Sequence, residues 1–465
     1  GLSPWEILVS ESQERMTVGV RPKDCEAFEA LAELHEVEAT VIGSFSDSGA
    51  FVVSFDNTPV AHIPISFLHD GCPQLQLESE WTPPVNEPFS SPNTDSAGMG
   101  DVLRRLMARP NVASKEAWVR SYDHEVIAQS VIKPFCGVDH DAPGDAAVIA
   151  PLHAGTQGAV ISNGIAPRYS DIDAYSMAAA CVDEALRNAV CVGVDLDMIA
   201  GLDNFCWPDP VESKKTPDGR YKLAQLVRAN RAIDEVCRAY RLPCISGKDS
   251  MKNDVTMHGE KISVPPTILF SLIGNHKDVR MAVSSDFKHP GDHIYLLGET
   301  HQELGASELS YMFRDECSGG IGGEVPRINP ERNLTMYRAL TSAMSEGLVS
   351  SAHDCSDGGL AVALAECCFG SGTGASVDIS PLESDCNHLD EWGALFGESM
   401  GRILVSVAPE HSNSFVAAME GNSCSRMGSV EGNDEIMVNY GENEVLRASI
   451  GGLKQAWQGS LGGDA

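Results

Sequence analysis

Two stretches of this chain, far apart in sequence, are versions of one another. Glu11-Ser12-Gln13-Glu14-Arg15-Met16-Thr17-Val18-Gly19-Val20-Arg21-Pro22 aligns with Glu398-Ser399-Met400-Gly401-Arg402-Ile403-Leu404-Val405-Ser406-Val407-Ala408-Pro409. Glu, Ser, Arg, both Val and Pro coincide; at the same offset Phe28 meets Phe415 and Ala30 meets Ala417, and Gly43-Ser44 meets Gly428-Ser429 after a small shift. A duplicated domain is the simplest source of such self-similarity. Each copy reads as a strand such as Arg402 to Val407, then a helix, then further short strands, the pattern of an α+β domain. Domain-like sequence from His289 onward precedes the later copy, whereas the earlier copy begins almost at residue 1. The first copy therefore reads as truncated, and the chain as a piece of something larger.

Between the copies, Thr82 to Gly100 is rich in Pro, Ser, Asn and Gly and lacks either hydrophobic period, which predicts a linker. A second domain type follows, with a short helix at Asp101 to Ala108 and long helices near Asp173 to Val192 and Tyr221 to Tyr240. In the last of these, Leu223, Leu226, Val227, Asn230, Ile233, Val236, Cys237 and Tyr240 follow three-and-four spacing and predict one core-facing stripe. Pro243-Cys244-Ile245 predicts a short strand entering a Gly-Lys-Asp-Ser turn, and Ile262 to Ile273 one or two buried strands. Pro290-Gly291-Asp292 marks the next boundary.

Charge excludes several function classes. Against 33 basic residues stand 66 acidic ones, a formal net charge of −33, which repels nucleic-acid phosphates and anionic membranes. A phosphate-bearing ligand must then be held by local devices: backbone N–H groups, a few basic side chains or bridging divalent cations. The 14 cysteines include no Cys-x-x-Cys pair and no zinc-finger spacing, so reduced, mostly buried thiols are expected. No run of about 18 apolar residues and no basic leader followed by an apolar run occurs, which predicts a cytoplasmic protein.

Individual motifs are weak when taken singly. On the Asp173 to Val192 helix, Glu184 and Asn188 stand four residues apart on one face, two oxygen donors suited to Mg²⁺, although a solvated helix face has the same look. Asp145 follows Gly144 just before an apolar strand near Ala147, as a metal ligand or a plain turn. His353-Asp354-Cys355-Ser356-Asp357-Gly358-Gly359 leads into a helical run from Ala361 to Cys368. Its start suits an anion, or simply an N-cap, and His353 reads equally as a structural histidine. Ser246-Gly247-Lys248-Asp249-Ser250 lacks the upstream glycine of a P-loop and leaves a close-approach glycine beside a lysine and hydroxyls. Gly319 to Pro326 lacks the context of a dinucleotide fold and predicts a flexible loop; no Gly-x-Ser-x-Gly elbow or assignable triad is present.

Taken in order, the strings SESQERM (10–16), APRYSDIDAYSMAAACVDEALRNAVCVG (166–193), LDNFCWPDP (202–210), YKLAQLVRAN (221–230), ISGKDSMKND (245–254), SAHDCSDGGLAVALAE (351–366) and LFGESMGRI (395–403) resemble the phosphoribosylformylglycinamidine synthase family over nearly the whole chain. The resemblance implies tandem halves, each a barrel-forming α/β N-terminal domain plus an α+β sandwich C-terminal domain. The chain would hold the end of the first half (1–81), a linker (82–100), and the second-half N-terminal (101–285) and C-terminal (286–465) domains.

It also implies an ATP-dependent amidoligase of purine synthesis, which phosphorylates the amide oxygen of formylglycinamide ribonucleotide and displaces it with glutamine-derived ammonia. No segment resembles the first-half Glu-Thr-His-Asn-His-Pro type or a glutaminase domain, so the implied partners are a missing N-terminal half and a glutaminase domain or subunit, and the chain alone is expected to be inactive. By the same resemblance Glu11, Ser12, Gln13 and Ser250 contact substrate, and Asp203 and Gly247 contact ATP. Lys248 stands where some shorter members carry a metal-binding Asn and is expected to meet phosphate directly. Asp145, Glu184, Asn188 and Asp354 match ligands of an auxiliary ADP and Mg²⁺ site, with Ser356 near the nucleotide and Asp357 a substitute for Asp354. Two other readings are a noncatalytic ADP/Mg-binding scaffold for synthase partners and an aminoimidazole ribonucleotide synthetase.

Overall fold

A computed structural model describes every residue except 93–95, 123–124, 318, 386–388 and 462–465. The chain divides into two units, Gly1–Leu77 and Glu78–Ala465.

The smaller unit holds a helical turn at Pro4–Leu8, helix α1 (Cys25–Leu34) and an antiparallel hairpin of β1 (Ala50–Phe55) and β2 (Thr58–Pro64). The strand expected over Met16–Val20 is absent: these residues are irregular, whereas their repeat counterparts in the larger unit form a strand. That counterpart lies between two partner strands drawn from 293–354, and the smaller unit supplies the first copy with no such neighbours. Its apolar residues are correspondingly open; Phe28 is 37% exposed where the matching Phe415 is fully buried.

The larger unit begins with α2 (Ser96–Met107), then β3 (Ser130–Ile132), β4 (Ala147–Ile149), β5 (Gly158–Ile165), α3 (Ala174–Cys191), β6 (Asp195–Cys206), α4 (Gly219–Tyr240), β7 (Cys244–Ser250) and β8 (Thr267–His276). These strands make one sheet in the order β3-β4-β5-β8-β6-β7, antiparallel except for the parallel β6–β7 pair at one edge. The remainder contributes β9 (His293–Leu297), α5 (Glu308–Cys317), α6 (Pro330–Ser345), β10 (Ser351–Asp354), α7 (Gly359–Phe369), β11 (Gly374–Asp378), β12 (Ile403–Val407), β13 (Cys424–Glu431), β14 (Glu435–Tyr440), β15 (Asn443–Ser449) and α8 (Ile450–Gly459). Seven of these strands form a second sheet, β10-β12-β9-β13-β11-β14-β15.

Strand period two divides the interior into two cores. In β9, Tyr295 and Leu297 face the core shared with α3, α4 and α6, while Ile294 and Leu296 face a second core with α2, α7 and α8. The layers are therefore sheet, helices, sheet, helices, with α3 at the centre. Asp173 caps α3, accepting the Tyr175 N–H at 3.0 Å, and the helix is buried almost all round. Its run of Ala178, Ala179, Ala180, Cys181 and Ala185 admits that close packing on β5, α4 and β8. The far face of the six-stranded sheet is open, with Ile161, Ile165 and Ile273 each more than 40% exposed.

Four further expectations change in the larger unit. The helix predicted from Asp101 starts at Ser96 and packs on β15 and α8, because Met99, Val102, Leu103, Leu106 and Met107 bury in the second core. The α4 stripe is rotated: Ala224, Gln225, Ala229 and Ala232 join Ile233, Val236, Cys237 and Tyr240 inside, while Val227 and Asn230 face out, since α3 approaches closely enough to select alanines. Gly247 to Ser250 lie in an edge strand rather than a turn, paired in parallel with β6 and polar because solvent reaches that edge. Finally, the glycine-rich segment is pinned: Gly322 donates to Glu87 O at 2.7 Å and Phe89 N donates back at 2.9 Å. A Cβ on Gly320 would sit 2.1 Å from Glu87 O, so glycine permits this approach.

Candidate functional site

Helix α3 carries the charges around which the site is built. Asp183 is fully buried, and its carboxylate accepts from the Arg187 guanidinium one turn on, from the Tyr240 hydroxyl, from the Tyr337 hydroxyl at 2.9 Å, from Asn333 Nδ2 at 3.1 Å and from Gly401 N at 3.2 Å. Held this way, Arg187 extends its other amino group to Asp354 Oδ2 at 3.2 Å. Asp354 ends β10, where the strand's register against β12 fixes it.

Asp145, just before β4, faces Asp354 from the other sheet. His353 Nδ1 lies 2.7 Å from Asp145 Oδ1, and its Nε2 lies 3.2 Å from Glu366 Oε2 on α7. The donor atoms of Asp145, His353 and Asp354 all lie within 4.8 Å of one another. Burial and the neighbouring Asp354 push Asp145 up to about 6, even though His353 opposes the shift. Against the same burial, Arg187 and His353 hold Asp354 below the usual carboxylate range, and the Ser356 hydroxyl hydrogen-bonds to it.

Glu184 and Asn188 share the α3 face turned to β5. Glu184 Oε2 accepts the Ile165 N–H at 2.9 Å, and Asn188 Nδ2 donates to Asn163 O at 3.0 Å. Burial, reinforced by Asp354, pushes Glu184 up to about 8. Asn188 Oδ1 is buried and has no hydrogen-bond partner among the described residues. The structure thus groups Asp145 with Asp354 and adds His353, while Glu184 and Asn188 sit beside that group, tied to β5 backbone. Facing carboxylates that disfavour joint ionisation, together with an unpartnered buried amide oxygen, fit a hard divalent cation.

A cavity of about 200 Å³ opens next to Asp357, lined by Lys115, Ile165, Arg168, Tyr169, Glu308 and Glu398 among others. Glu398, the repeat counterpart of Glu11, is buried; it accepts the Tyr169 hydroxyl at 2.7 Å, Glu308 N at 2.8 Å and Gly358 N at 2.9 Å. It therefore shapes the cavity wall. Asp357 is pushed well up by burial and by Glu398, Glu308 and Glu184. Two cations stand among these acids: the Arg168 guanidinium lies 2.8 Å from Glu308 Oε1, and Lys115 lines the same cavity.

At the edge of the six-stranded sheet a second set meets. Asp203 on β6 stands in register with Gly247 on β7, and a Cβ on Gly247 would fall 2.4 Å from Asp203 Oδ1. Glycine is required for that carboxylate to lie over the strand. Lys248 Nζ hydrogen-bonds the Ser250 hydroxyl, so both expected contacts share one side of β7. Glu11, Ser12 and Gln13 lie in the smaller unit, exposed after the first helical turn, where Gln13 Nε2 donates to Glu11 O at 3.1 Å.

Sequence reasoning did not single out Asp183, Arg187, Glu366, Glu308 or Tyr169. The available signal was charge inside an otherwise small and apolar helix: Asp183 and Arg187 are spaced i, i+4 in a run that has no solvent face.

Comparison with known proteins agrees with this architecture. The family model "AIR synthase related protein, C-terminal domain" matches residues 1–56 and 289–441, and "AIR synthase related protein, N-terminal domain" matches 143–273. The chain belongs to the AIR synthase related family. Within it, the chain is 33% identical over 472 residues to phosphoribosylformylglycinamidine synthase subunit PurL of Anaeromyxobacter sp. (strain Fw109-5), covering 98% of this chain and 58% of that protein. PurL of Alkaliphilus metalliredigens (strain QYMF) is 30% identical over 473 residues, covering 99% and 59%. The chain thus spans less than two thirds of these relatives. The fold is shared with T. maritima PurL complexed with FGAR, at a TM-score of 0.55 and 16% identity over 76% of this chain and 52% of that one. No helix among the described residues is long and apolar enough to cross a membrane.

Proposed function

We propose that this chain supplies the second synthetase half of the ATP-dependent ligase that converts formylglycinamide ribonucleotide to formylglycinamidine ribonucleotide in purine biosynthesis. The observation that carries this reading is the meeting of Asp145 and Asp354, residues from the two family domains, at one buried cluster. Asp145, Glu184, Asn188 and Asp354 would hold Mg²⁺ with an auxiliary ADP near Ser356, and bound Mg²⁺ would neutralise phosphate charge there. Lys115 and Arg168 can meet anionic oxygens across the adjoining cavity. At the sheet edge, Asp203 and Gly247 would contact ATP, Lys248 its phosphate and Ser250 the ribonucleotide. Glu11, Ser12 and Gln13 would complete substrate binding with the remaining first half.

In that reaction ATP phosphorylates the substrate's amide oxygen, and ammonia from a glutaminase partner then displaces phosphate. Pre-set donors stabilise the charge that develops, which is where such sites gain most of their rate. A scaffold role, with ADP and Mg²⁺ as structural ligands, is favoured by one observation: the carboxylates are locked in a buried network away from the Asp203–Gly247 edge strand.

The test is reconstitution. This chain, mixed with the first half of a PurL relative, ATP, Mg²⁺ and ammonium, should form formylglycinamidine ribonucleotide, whereas the chain alone should not. A folded complex that binds ADP yet never turns over would favour the scaffold; turnover of aminoimidazole ribonucleotide synthetase substrates instead would contradict both.

A further inference from the structure

At the junction of α4 and β7 two thiols stand in contact. Cys237 lies in the last turn of α4 and Cys244 opens β7, with their sulfurs 3.8 Å apart. The chain reversal that brings them together is built in: Arg241 adopts a left-handed conformation at φ 55°, and Leu242 N donates to Cys237 O at 2.9 Å. Cys237 is buried, whereas Cys244 is exposed. A disulfide needs sulfurs about 2.05 Å apart, so the contraction required is smaller than the movement of one side-chain rotamer.

We propose that Cys237 and Cys244 form a reversible disulfide, a redox modification site that fastens edge strand β7 to helix α4. With a low-molecular-weight disulfide as oxidant, the Cys244 sulfur attacks one of its sulfurs. The S–S bond breaks, one thiol leaves with the proton, and a mixed disulfide remains on Cys244. Cys237 then attacks that sulfur and expels the second thiol, so two protein thiols are oxidised and one small disulfide is reduced to two thiols. Exposure makes Cys244 the entry point, and Cys237 resolves from beneath.

The strand affected is the one that pairs Gly247 with Asp203. Gly201 stands opposite Cys244 and Asp203 opposite Gly247, so a tether at the first residue of β7 restrains the register of the edge pair. Burial raises both thiols, which keeps them protonated near neutrality. Oxidation is therefore slow at neutral pH and quickens about tenfold per pH unit on the alkaline side, because the thiolate is the nucleophile.

The reduced chain is incubated with glutathione disulfide, alkylated, digested without reductant and mapped by mass spectrometry. The expected product links the peptides bearing Cys237 and Cys244, with two glutathione thiols released per chain. Cys237→Ser should stop at a mixed disulfide on Cys244, and Cys244→Ser should leave Cys237 unmodified; serine puts a hydroxyl of similar size in place of each thiol, and both variants should fold. In the oxidised wild type, amide exchange across Ile245 to Lys248 should slow several-fold. A wild type that stops at the mixed disulfide, links other cysteines, or leaves Cys244 unmodified under conditions that modify a model thiol peptide would overturn the proposal.

Discussion

Replacing Asp183 with alanine should destabilise the protein by about 3–5 kcal/mol, the cost of breaking a buried ion pair by removing one partner. The carboxylate satisfies five donors, two of them from α6, one from α4, one from the loop before β12 and one from Arg187, so its loss leaves two buried hydroxyls without that acceptor and a fully buried guanidinium with Asp354 as its remaining carboxylate partner. Asp183→Asn should cost less, because an amide oxygen can still accept from Tyr337 and Tyr240. Urea unfolding with an unchanged slope and a lowered midpoint would check this. A loss below about 1 kcal/mol in the alanine variant would show that the network adds little beyond packing. The same substitution frees Arg187 to pair solely with Asp354, so cation affinity at the cluster should fall in Asp183→Asn as well.

The second large effect is pH dependence. Glu184 is pushed up to about 8 and Asp145 to about 6, from ordinary values of 4.5 and 3.8. In each case the folded metal-free protein holds a proton that the unfolded chain has already released. Stability from these groups is therefore present at low pH and is lost as pH rises through the folded values, here between pH 4.5 and 8 for Glu184. His353, raised by Asp145 and Glu366 against its burial, acts in the same direction. Cation binding must displace such protons, so Mg²⁺ affinity should tighten by about tenfold per pH unit between about pH 6 and 8, where Glu184 holds its proton and Asp145 has lost its own, more steeply below that range, and level off above it. Calorimetry with Mg²⁺ alone across that range checks the sign, and a flat profile would remove Glu184 from the ligand set.

How much of this was legible in the sequence depended on whether a signal was local. The α3 helix and the strand at β12 were legible from local pattern, and the structure places them within a residue or two; the boundary read at Pro290-Gly291-Asp292 falls just before β9. The Ser246–Ser250 segment misled because its composition is that of a turn, whereas parallel pairing with β6 makes it a strand, and such pairing comes from residues 40 or more positions away. The glycine-rich 319–323 segment misled for a similar reason: its glycines answer to the backbone of Glu87 and Pro88, which sequence spacing does not connect to it. At the cluster, Asp145 and Asp354 were each ambiguous with turns and caps, and only the family resemblance joined them. The clamp behind them was hidden because Tyr240 reads as core and Asp183 as an ordinary helical acid. That Tyr240 bonds Asp183 follows from α4 lying against α3, a contact without a trace in either helix alone.

The central claim is that the second half carries its own cation-dependent nucleotide site. Calorimetric titration of nucleotide-stripped chain with ADP, with and without Mg²⁺, tests it most directly, alongside Asp145→Ala and Glu184→Ala checked for folding by circular dichroism. Mg²⁺-dependent ADP binding by the parent, lost in both folded variants, is the predicted result. A folded parent that binds no ADP at any Mg²⁺ concentration, or variants that bind it as the parent does, would contradict the claim and leave those carboxylates with a structural role.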